Sequence, residues 1–366
     1  MINLQFFPSR RIAFYMVRLF VVRSAAVLVA LVGILMMLDL LGKTGEILAY
    51  PGNGDAELWH YVALRLPQLV SRFLPFAVLL GTLVTFAGLN QNSEIISMKA
   101  AGISAHQIVA PLVLASALIA VGHFAFTERF VIRANANLTA WDNVHWGHVP
   151  PETGIQNNIS FLHGNDLVFA DRVSGHGTDV HLAGVTIYGR SAGTLRRILT
   201  ARTGAALPAG GWILRDATLF AVDTGALQRL PAVRLGPDIT PDEFTLAHIS
   251  PDEQDFFQLR RSIAEISAAN RATAALEASL WHKIAGPFST MLMPLLAAVA
   301  AFGLARSGQL MLRAVIGMFL GFAYFVADNF AIAMGNLGAY PPFLAAWGPF
   351  LLFLLVGEAV LIRTEE

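Results

Sequence analysis

The stretch "GLNQNSEIISMKAAGIS", Gly88–Ser104, is a polar interruption between two long apolar runs. Asn92 and Ser93 are residue types that cap the start of a helix. Glu94 follows in the first turn, where the helix dipole favours an anion by ~0.3–1 kcal/mol. Gly102 is well placed to end the helix. The stretch therefore predicts a two-turn helix that carries an acid at its start.

The apolar runs on either side belong to a chain with the composition of a membrane protein. Of its 366 residues, 55% are hydrophobic and only 14% are charged, and the mean hydropathy is +0.58. Soluble domains typically carry about 25% charged residues, so this composition predicts an integral membrane protein. The net charge of zero argues against nucleic-acid binding, and the absence of cysteine excludes thiol catalysis.

Six segments have the roughly 20 apolar residues that a transmembrane helix needs. They are about Ile12–Leu41, Tyr61–Leu89, Ser104–Phe126, Lys283–Ala305, Leu310–Met334 and Pro342–Ile362. The first segment is too long for a cleavable signal peptide, and no small-residue cleavage pattern follows it. We therefore predict six transmembrane helices.

Arginines at the start of the first span set the orientation. Arg10, Arg11, Arg18 and Arg23 mark this end as cytoplasmic under the positive-inside rule. Six crossings return the chain to the same side, so we expect both termini and the loop with Lys99 in the cytoplasm. The polar middle of the chain is then expected outside, in the periplasm.

This polar middle segment holds more than half of the charged residues, between Glu128 and Lys283. Within it, "ISFLHGNDLVFADRV" predicts two strands around a Gly164-Asn165 turn. Polar and apolar residues alternate along several such runs, which predicts an antiparallel β-sandwich or jellyroll. Further along, four apolar residues fall on one face of an amphipathic helix: Phe256, Leu259, Ile263 and Ile266.

The predicted fold is thus a membrane α+β fold with a jellyroll-like domain between the third and fourth helices. Residues 1–127 contain the first three transmembrane helices and the short cytoplasmic helix over residues 93–101. Residues 128–280 contain the periplasmic β-domain and its connecting helix. Residues 281–366 contain the last three transmembrane helices.

Two motifs that would carry cofactor chemistry are incomplete. "LLGKTG", Leu40–Gly45, resembles the end of a phosphate-binding loop, but Met37 stands where that loop needs glycine. His145 and His148 lack the HExxH arrangement of a zinc site. We therefore expect this chain to bind no metal and no cofactor of its own.

The candidates for catalysis within the membrane are three ionisable residues: Asp39, His123 and Asp328. Such residues are costly in a membrane and are usually functional there. They could pair helices, or they could serve an intramembrane enzyme, and the sequence leaves both open.

The short helix over residues 93–101 has two interpretations. Ile95, Met98 and Ala101 share one of its sides. That side could rest on lipid, with Glu94 serving only the helix dipole. Alternatively, the helix is a small, apolar, acid-tipped plug for a cytoplasmic motor, tied to two transmembrane helices.

Four segments together resemble the LptF/LptG permeases of the lipopolysaccharide-export ABC transporter. The first, "LPFAVLLGTLVTFAGLNQNSEIISMKAAGIS", is similar to the family's second transmembrane helix and coupling helix. "LWHKIAGPFS" (Leu280–Ser289), "RAVIGMFLGFAYFVADN" (Arg313–Asn329) and "YPPFLAAWGPFLLF" are similar to the fourth, fifth and sixth helices. The order is kept over the whole chain, and the sixth helix and "LDLLGKTGEI" resemble LptG more than LptF.

The resemblance implies a permease subunit of the bacterial inner membrane that is not itself an enzyme. Its partners would be an LptF-type permease, an LptB-type ATPase dimer that binds ATP and Mg²⁺, a single-span LptC-type protein and the periplasmic LptA-type bridge. Lipopolysaccharide would enter from the outer leaflet between helices one and five of the two permeases. ATP hydrolysis in the ATPase would then push it onto the bridge.

The resemblance also implies roles for particular residues. Glu94 matches the family's coupling-helix acid, which is expected to pair with an arginine of the ATPase. Ile95, Met98 and Ala101 would be the surface that packs into a groove of the ATPase, and Gly102 would end the coupling helix.

Three basic residues near the outer ends of helices one and two could bind lipid A phosphates: Lys43, Arg65 and Arg72. The same residues could simply extend their charged ends to the membrane interface. Three other interpretations remain open: an LptF-type paralogue, an intramembrane lipid-modifying enzyme, and a membrane anchor for the β-domain. The enzyme would use Asp328, His123 or Asp39.

Overall fold

The computed structural model describes residues 8–149, 156–175, 180–191, 194–207, 211–236, 239, 250–268, 272–303 and 310–363. The chain forms two compact units, one of residues 1–148 and 251–366 and the other of residues 149–250. Among the described residues, the helices lie in the first unit and the sheet lies in the second.

The helical unit begins with α1 (Arg10–Ala49), α2 (Asp55–Gln91), the short α3 (Glu94–Ala100) and α4 (Ala105–Phe126). A π-helical turn at Thr127–Val131 joins α4 to α5 (Ile132–Asn143) without a break. After the sheet come α6 (Phe256–Ala268), α7 (Ala274–Ala298) with a π-helical turn at Val299–Gly303, α8 (Leu310–Asn336) and α9 (Pro342–Arg363).

Six of these helices are long and apolar enough to cross a membrane: Arg10–Ala49, Asp55–Gln91, Ala105–Asn143, Ala274–Phe302, Ala314–Asn336 and Pro342–Arg363. This confirms the six predicted spans. The third helix is longer than expected, because the π-helical turn carries it past Phe126 to Asn143. Residues 128–143, which the sequence analysis placed with the β-domain, therefore continue this helix.

Helices α1 and α2 approach each other closely where Gly81 meets Ser24. A Cβ atom on Gly81 would lie 2.5 Å from the Ser24 Cα, so only glycine fits there. Association of helices in lipid depends on close packing and hydrogen bonds, because lipid provides no hydrophobic drive between them. The contact at Gly81 is therefore a main determinant of how α1 packs on α2.

The core of the helical unit is built around α7, whose apolar stretch is mostly buried. Leu296 of α7 belongs to one buried cluster with Phe20, Phe86 and Leu112, so four of the membrane helices meet there. Phe302 extends this cluster, with its ring centroid 5.2 Å from that of Phe86.

Aromatic rings pack together where α1 ends, α2 begins and α5 ends. The Trp146 ring centroid lies 5.1 Å from that of Trp141 and 5.7 Å from that of Tyr61. The Asn53 side-chain amide donates hydrogen bonds of 2.9 Å to the carbonyl oxygens of Ile47 and Trp146. The loop between α1 and α2 is thereby fixed against the segment that follows α5.

The second unit contains one antiparallel sheet of six described strands. They are β1 (Gln156–His163), β2 (Asp166–Ser174), β3 (His181–Ser191), β4 (Thr194–Ala206), β5 (Trp212–Ala221) and β6 (Ala226–Leu235). Each described strand pairs with its neighbour in sequence, which is a meander order without the returning connection of a Greek key. The predicted antiparallel β-domain between the third and fourth membrane helices is confirmed.

The predicted hairpin at Gly164-Asn165 is present. His163 of β1 pairs with Asp166 of β2 across a two-residue loop, and Gly164 has a φ of 59°, which glycine adopts readily. On one face of the sheet Trp212 is fully buried, and its indole Nε1 donates to the Ile239 carbonyl oxygen at 2.8 Å.

The amphipathic helix predicted after the sheet is α6. Leu259 and Ile266 are buried, whereas Phe257 on another face is exposed. The backbone N–H of Phe256, at the start of α6, donates to the Glu128 carboxylate at 2.7 Å. This bond ties α6 to the π-helical turn between α4 and α5.

Candidate functional site

The polar interruption forms the predicted short helix, α3, with one difference at its start. Ser93 is the N-cap residue, but its φ is 57° and its side chain makes no capping hydrogen bond. The chain turns from α2 into α3 within two residues, and the Ser93 N–H donates to the Asn90 carbonyl oxygen instead. The predicted end is present, because Gly102 has a φ of 86° and the Ile103 N–H donates to the Met98 carbonyl oxygen at 3.1 Å.

The two sides of α3 have different surroundings. Ile95 is only 5% exposed and belongs to the core of the helical unit, and Met98 packs against the same core. Ile96 is 61% exposed, and its neighbours Ser97 and Ala100 are exposed as well. Ile95 therefore cannot be part of a partner-facing surface, which corrects its predicted role. A two-turn helix with apolar residues on adjacent faces did not indicate which face would be buried.

Glu94 lies at the junction between α3 and α1. Its Oε1 accepts a hydrogen bond of 3.2 Å from the Tyr15 phenol and one of 3.4 Å from the Asn92 side chain. Among the described residues, none donates a hydrogen bond to its Oε2. At the other end of α3, the Lys99 Nζ lies 5.1 Å from the centroid of the Phe302 ring.

Two of the three basic residues predicted to bind lipid phosphates already have acidic partners. The Lys43 Nζ lies 2.6 Å from a Glu46 carboxylate oxygen and 5.6 Å from the centroid of the Trp146 ring. The Arg65 guanidinium donates from Nη2 and Nε to the two carboxylate oxygens of Asp39, at 3.0 and 3.1 Å. Neither cation is free to bind an anion without loosening an existing pair.

Asp39 is the centre of a polar network that was missed at the sequence level. The Tyr61 phenol donates to Asp39 at 2.5 Å, and Arg65 also donates to the Gln68 side chain. Gln68 in turn donates to the Asn135 side chain at 3.2 Å, so the network joins α1, α2 and α5. Tyr61, Arg65 and Gln68 recur at helical spacing, which is the signal that could have indicated a shared face.

Asp328, the predicted intramembrane acid, is paired across helices. Its Oδ2 lies 3.0 Å from the Nε2 of His282, so α8 and α7 are joined there. His123 contacts a different group, the Ser71 hydroxyl, at 2.7 Å, and Ser71 also contacts the Thr127 hydroxyl at 3.0 Å. Asp328 and His123 are predictable from the sequence as intramembrane ionisable residues, but neither of their partners is.

A cavity of about 670 Å³ lies between α2, the helix formed by α4 and α5, α7 and α8. It is lined by His123, His282 and Asp328, and also by the cations Arg72 and Lys283. The Lys283 Nζ is 3.9 Å from a Glu128 carboxylate oxygen. Arg72 is exposed and has no ionic or hydrogen-bonding partner among the described residues. It is therefore the cation of this cavity that an arriving anion could pair with directly.

The incomplete cofactor motifs have ordinary structural roles. "LLGKTG" lies inside the continuous helix α1, where the Thr44 hydroxyl donates to the Leu40 carbonyl oxygen at 2.6 Å. A helical segment cannot form the loop that wraps a phosphate. Among the described residues, no three His, Asp or Glu side chains are grouped so that they could hold a metal ion.

A family model described as "Lipopolysaccharide export system permease LptF/LptG" matches residues 14–363. The chain belongs to the LptF/LptG family. It is 27% identical to the lipopolysaccharide export system permease protein LptG of Escherichia coli (strain K12) over 353 residues, which cover 92% of each chain. It is 24% identical to LptG of Haemophilus influenzae over 330 residues, or 86% of this chain and 89% of that protein.

Membership of the LptF/LptG family confirms the resemblance found in the sequence and identifies the chain as a transport component. The two relatives named above are both LptG proteins, in agreement with the features that resemble LptG more than LptF. The roles of Glu94, Met98, Ala101, Gly102, and of the three basic residues, stay predictions.

Proposed function

We propose that this chain is the LptG-type permease subunit of a lipopolysaccharide-export transporter in the bacterial inner membrane. It takes lipopolysaccharide from the outer leaflet and passes it to an LptA-type periplasmic bridge. Its partners are an LptF-type permease, an LptC-type protein and an LptB-type ATPase dimer, which binds the ATP and Mg²⁺. The observation that carries this proposal is the family match, which extends over residues 14–363 and so includes the helices and the sheet.

Helix α3 is the proposed docking site for the ATPase. It is short, it lies between two membrane helices, and its end is fixed by the hydrogen bond from Ile103 to Met98. The proposed surface consists of Glu94, Ile96, Met98, Ala101 and Gly102, with Ile96 in place of the buried Ile95. An exposed apolar side chain next to a carboxylate suits a groove that has a cationic group at its edge.

The proposed route for the lipid phosphates passes Arg72. Charge-assisted hydrogen bonds from a guanidinium to a phosphate are strong and directional. Arg72 lines a cavity large enough for part of a glycolipid headgroup and has no competing partner among the described residues. Lys43 and Arg65 would have to exchange Glu46 and Asp39 for phosphate, so we assign them a secondary role.

Purification of the chain with its native partners in mild detergent tests the proposal. We expect mass spectrometry to identify a second permease, an ATPase and a bound glycolipid. Glu94→Arg is expected to remove the ATPase and to leave the second permease bound. Glu265→Arg is the matched control, because Glu265 is an exposed acid on α6. A chain that never retains an ATPase, although it folds and carries a glycolipid, would contradict the proposal.

A further inference from the structure

A hydrogen bond joins the proposed docking helix directly to the first membrane helix. The Tyr15 phenol of α1 donates to the Glu94 Oε1 at 3.2 Å, across 79 residues of chain. An ionised carboxylate has two oxygens and about four acceptor sites. Tyr15 and Asn92 both bind Oε1, and no described residue donates to Oε2, so Oε2 can receive a cationic group of a partner.

A second polar link lies two turns further along α1, at Arg23. Its Nη1 donates to the carbonyl oxygens of Val84 and Thr85 in α2, at 2.9 and 3.3 Å. A Cβ atom on Gly88 would lie 2.7 Å from this nitrogen, so glycine provides the space that the guanidinium occupies. Tyr15 and Arg23 are about 12 Å apart along the helix axis, at 1.5 Å per residue.

One face of α1 between these two links is buried against the rest of the helical unit. Met16 and Phe20 are both completely buried in the core of the helical unit. The cytoplasmic part of α1 is therefore held to α2 and α3 by apolar packing and by two hydrogen-bonded side chains. These contacts link this part of α1 to the segment that carries Glu94.

The outer part of α1 also leaves much of its surface uncovered by the described residues of this chain. Val29, Met37 and Leu41 are all exposed apolar residues of the same continuous helix. A straight helix transmits a displacement at one end to the other, since its backbone hydrogen bonds run along the axis. Movement at Tyr15 is thus expected to appear near Met37.

We propose that Tyr15 is a positioning residue for the coupling of ATP hydrolysis to transport. Its phenol holds one oxygen of Glu94, leaves the other for the cationic group of the docked ATPase, and passes the displacement of Glu94 into α1. This inference rests on the proposed docking of an ATPase at α3. It adds a residue on α1 that the docking surface itself does not include.

The test uses the complete transporter in lipid vesicles, with ATP hydrolysis and lipopolysaccharide release measured on the same sample. Tyr15→Phe removes only the hydroxyl, and we expect it to lower the lipopolysaccharide released per ATP about fivefold while the ATPase stays bound. Tyr50→Phe is the matched control, because Tyr50 is 41% exposed and Tyr15 is 45% exposed. Tyr15→Phe combined with Glu94→Gln is expected to be no worse than Glu94→Gln alone.

A second readout separates coupling from a merely structural role. The chain has no cysteine, so Met37→Cys provides a single labelling site on this chain. We expect ATP to change the signal of a label there, and we expect Tyr15→Phe, but not Tyr50→Phe, to remove that change.

The outcomes separate this inference from the proposed function. If Glu94→Gln lowers transport and Tyr15→Phe leaves both the release ratio and the label signal unchanged, the role of Tyr15 is wrong and ATPase docking stands. Independent, multiplying effects of the two substitutions would also overturn it. If Glu94→Gln has no effect and no ATPase binds the chain, the proposed function fails as well.

Discussion

Asp39 and Arg65 form an ion pair with two hydrogen bonds that joins α1 to α2. The guanidinium nitrogens lie 3.0 and 3.1 Å from the two carboxylate oxygens, and the two side chains are only 23% and 27% exposed. A charge within a membrane span usually pairs with another charge or faces a water-filled cavity. The pair therefore assigns to Arg65 a structural function that competes with the predicted binding of lipid phosphate.

Arg65→Ala is expected to destabilise the helical unit by about 1–3 kcal/mol, because Asp39 then loses its cation in a partly buried position. Thermal unfolding of the purified protein in detergent measures this. Lys43→Ala is the control, since the Lys43–Glu46 pair is exposed and screened by solvent, so its loss is expected to change stability little. Unchanged stability of Arg65→Ala, together with a loss of bound glycolipid, would instead support the lipid-binding role of Arg65.

The crossing of α1 and α2 gives a second stability prediction. Gly81→Ala places a Cβ atom 2.5 Å from the Ser24 Cα, so the two backbones must move apart. We expect a loss of about 1–3 kcal/mol in the free energy of unfolding. Gly33→Ala on α1 is the control, because a Cβ atom there would meet nothing within 4 Å. Equal stability of the two variants would show that the crossing tolerates side chains.

Features encoded within one segment were predictable from the sequence. The end of α3 at Gly102 and the hairpin at Gly164-Asn165 depend on glycine conformations that neighbouring residues indicate. The six spans follow from length and composition alone.

Contacts between distant segments were not predictable from one sequence. Tyr15 and Glu94 are 79 residues apart, and His282 and Asp328 are 46 apart, so no local spacing relates them. The burial of Ile95 rather than Ile96 depends on how α3 packs against the core, which a two-turn pattern does not determine. The length of the third helix was missed because its polar end, Glu128 to Asn143, resembles a solvated segment.

One of the two adjacent isoleucines of α3 is buried and the other is exposed, so we predict different effects for their substitution. Ile96→Lys is expected to weaken ATPase binding at least about tenfold and to leave the unfolding temperature of the isolated chain unchanged, because the side chain is exposed. Ile95→Ala is expected to destabilise the chain by about 2–4 kcal/mol, since it opens a cavity in the core. Binding of a labelled ATPase and thermal unfolding, measured on the same preparations, separate the two effects. Tight ATPase binding by Ile96→Lys would exclude this face as the docking surface.

Arg72 is the residue on which the proposed lipid route depends most. It lines the cavity between α2, α7 and α8, and no described residue pairs with it, so its charge is available to a phosphate. We expect Arg72→Ala to lower the glycolipid that co-purifies with the transporter about tenfold, the loss that corresponds to one charge-assisted contact of ~1.4 kcal/mol. Quantitative mass spectrometry of the extracted lipid measures the change.

Arg18→Ala is the control, because Arg18 is an exposed arginine near the predicted cytoplasmic end of α1. Because Arg72 has no described partner to leave uncompensated, the unfolding temperature is expected to stay the same in both variants. An equal loss of glycolipid in the two variants would mean that the lipid responds to overall charge, and the assignment of Arg72 to the lipid route would then be wrong.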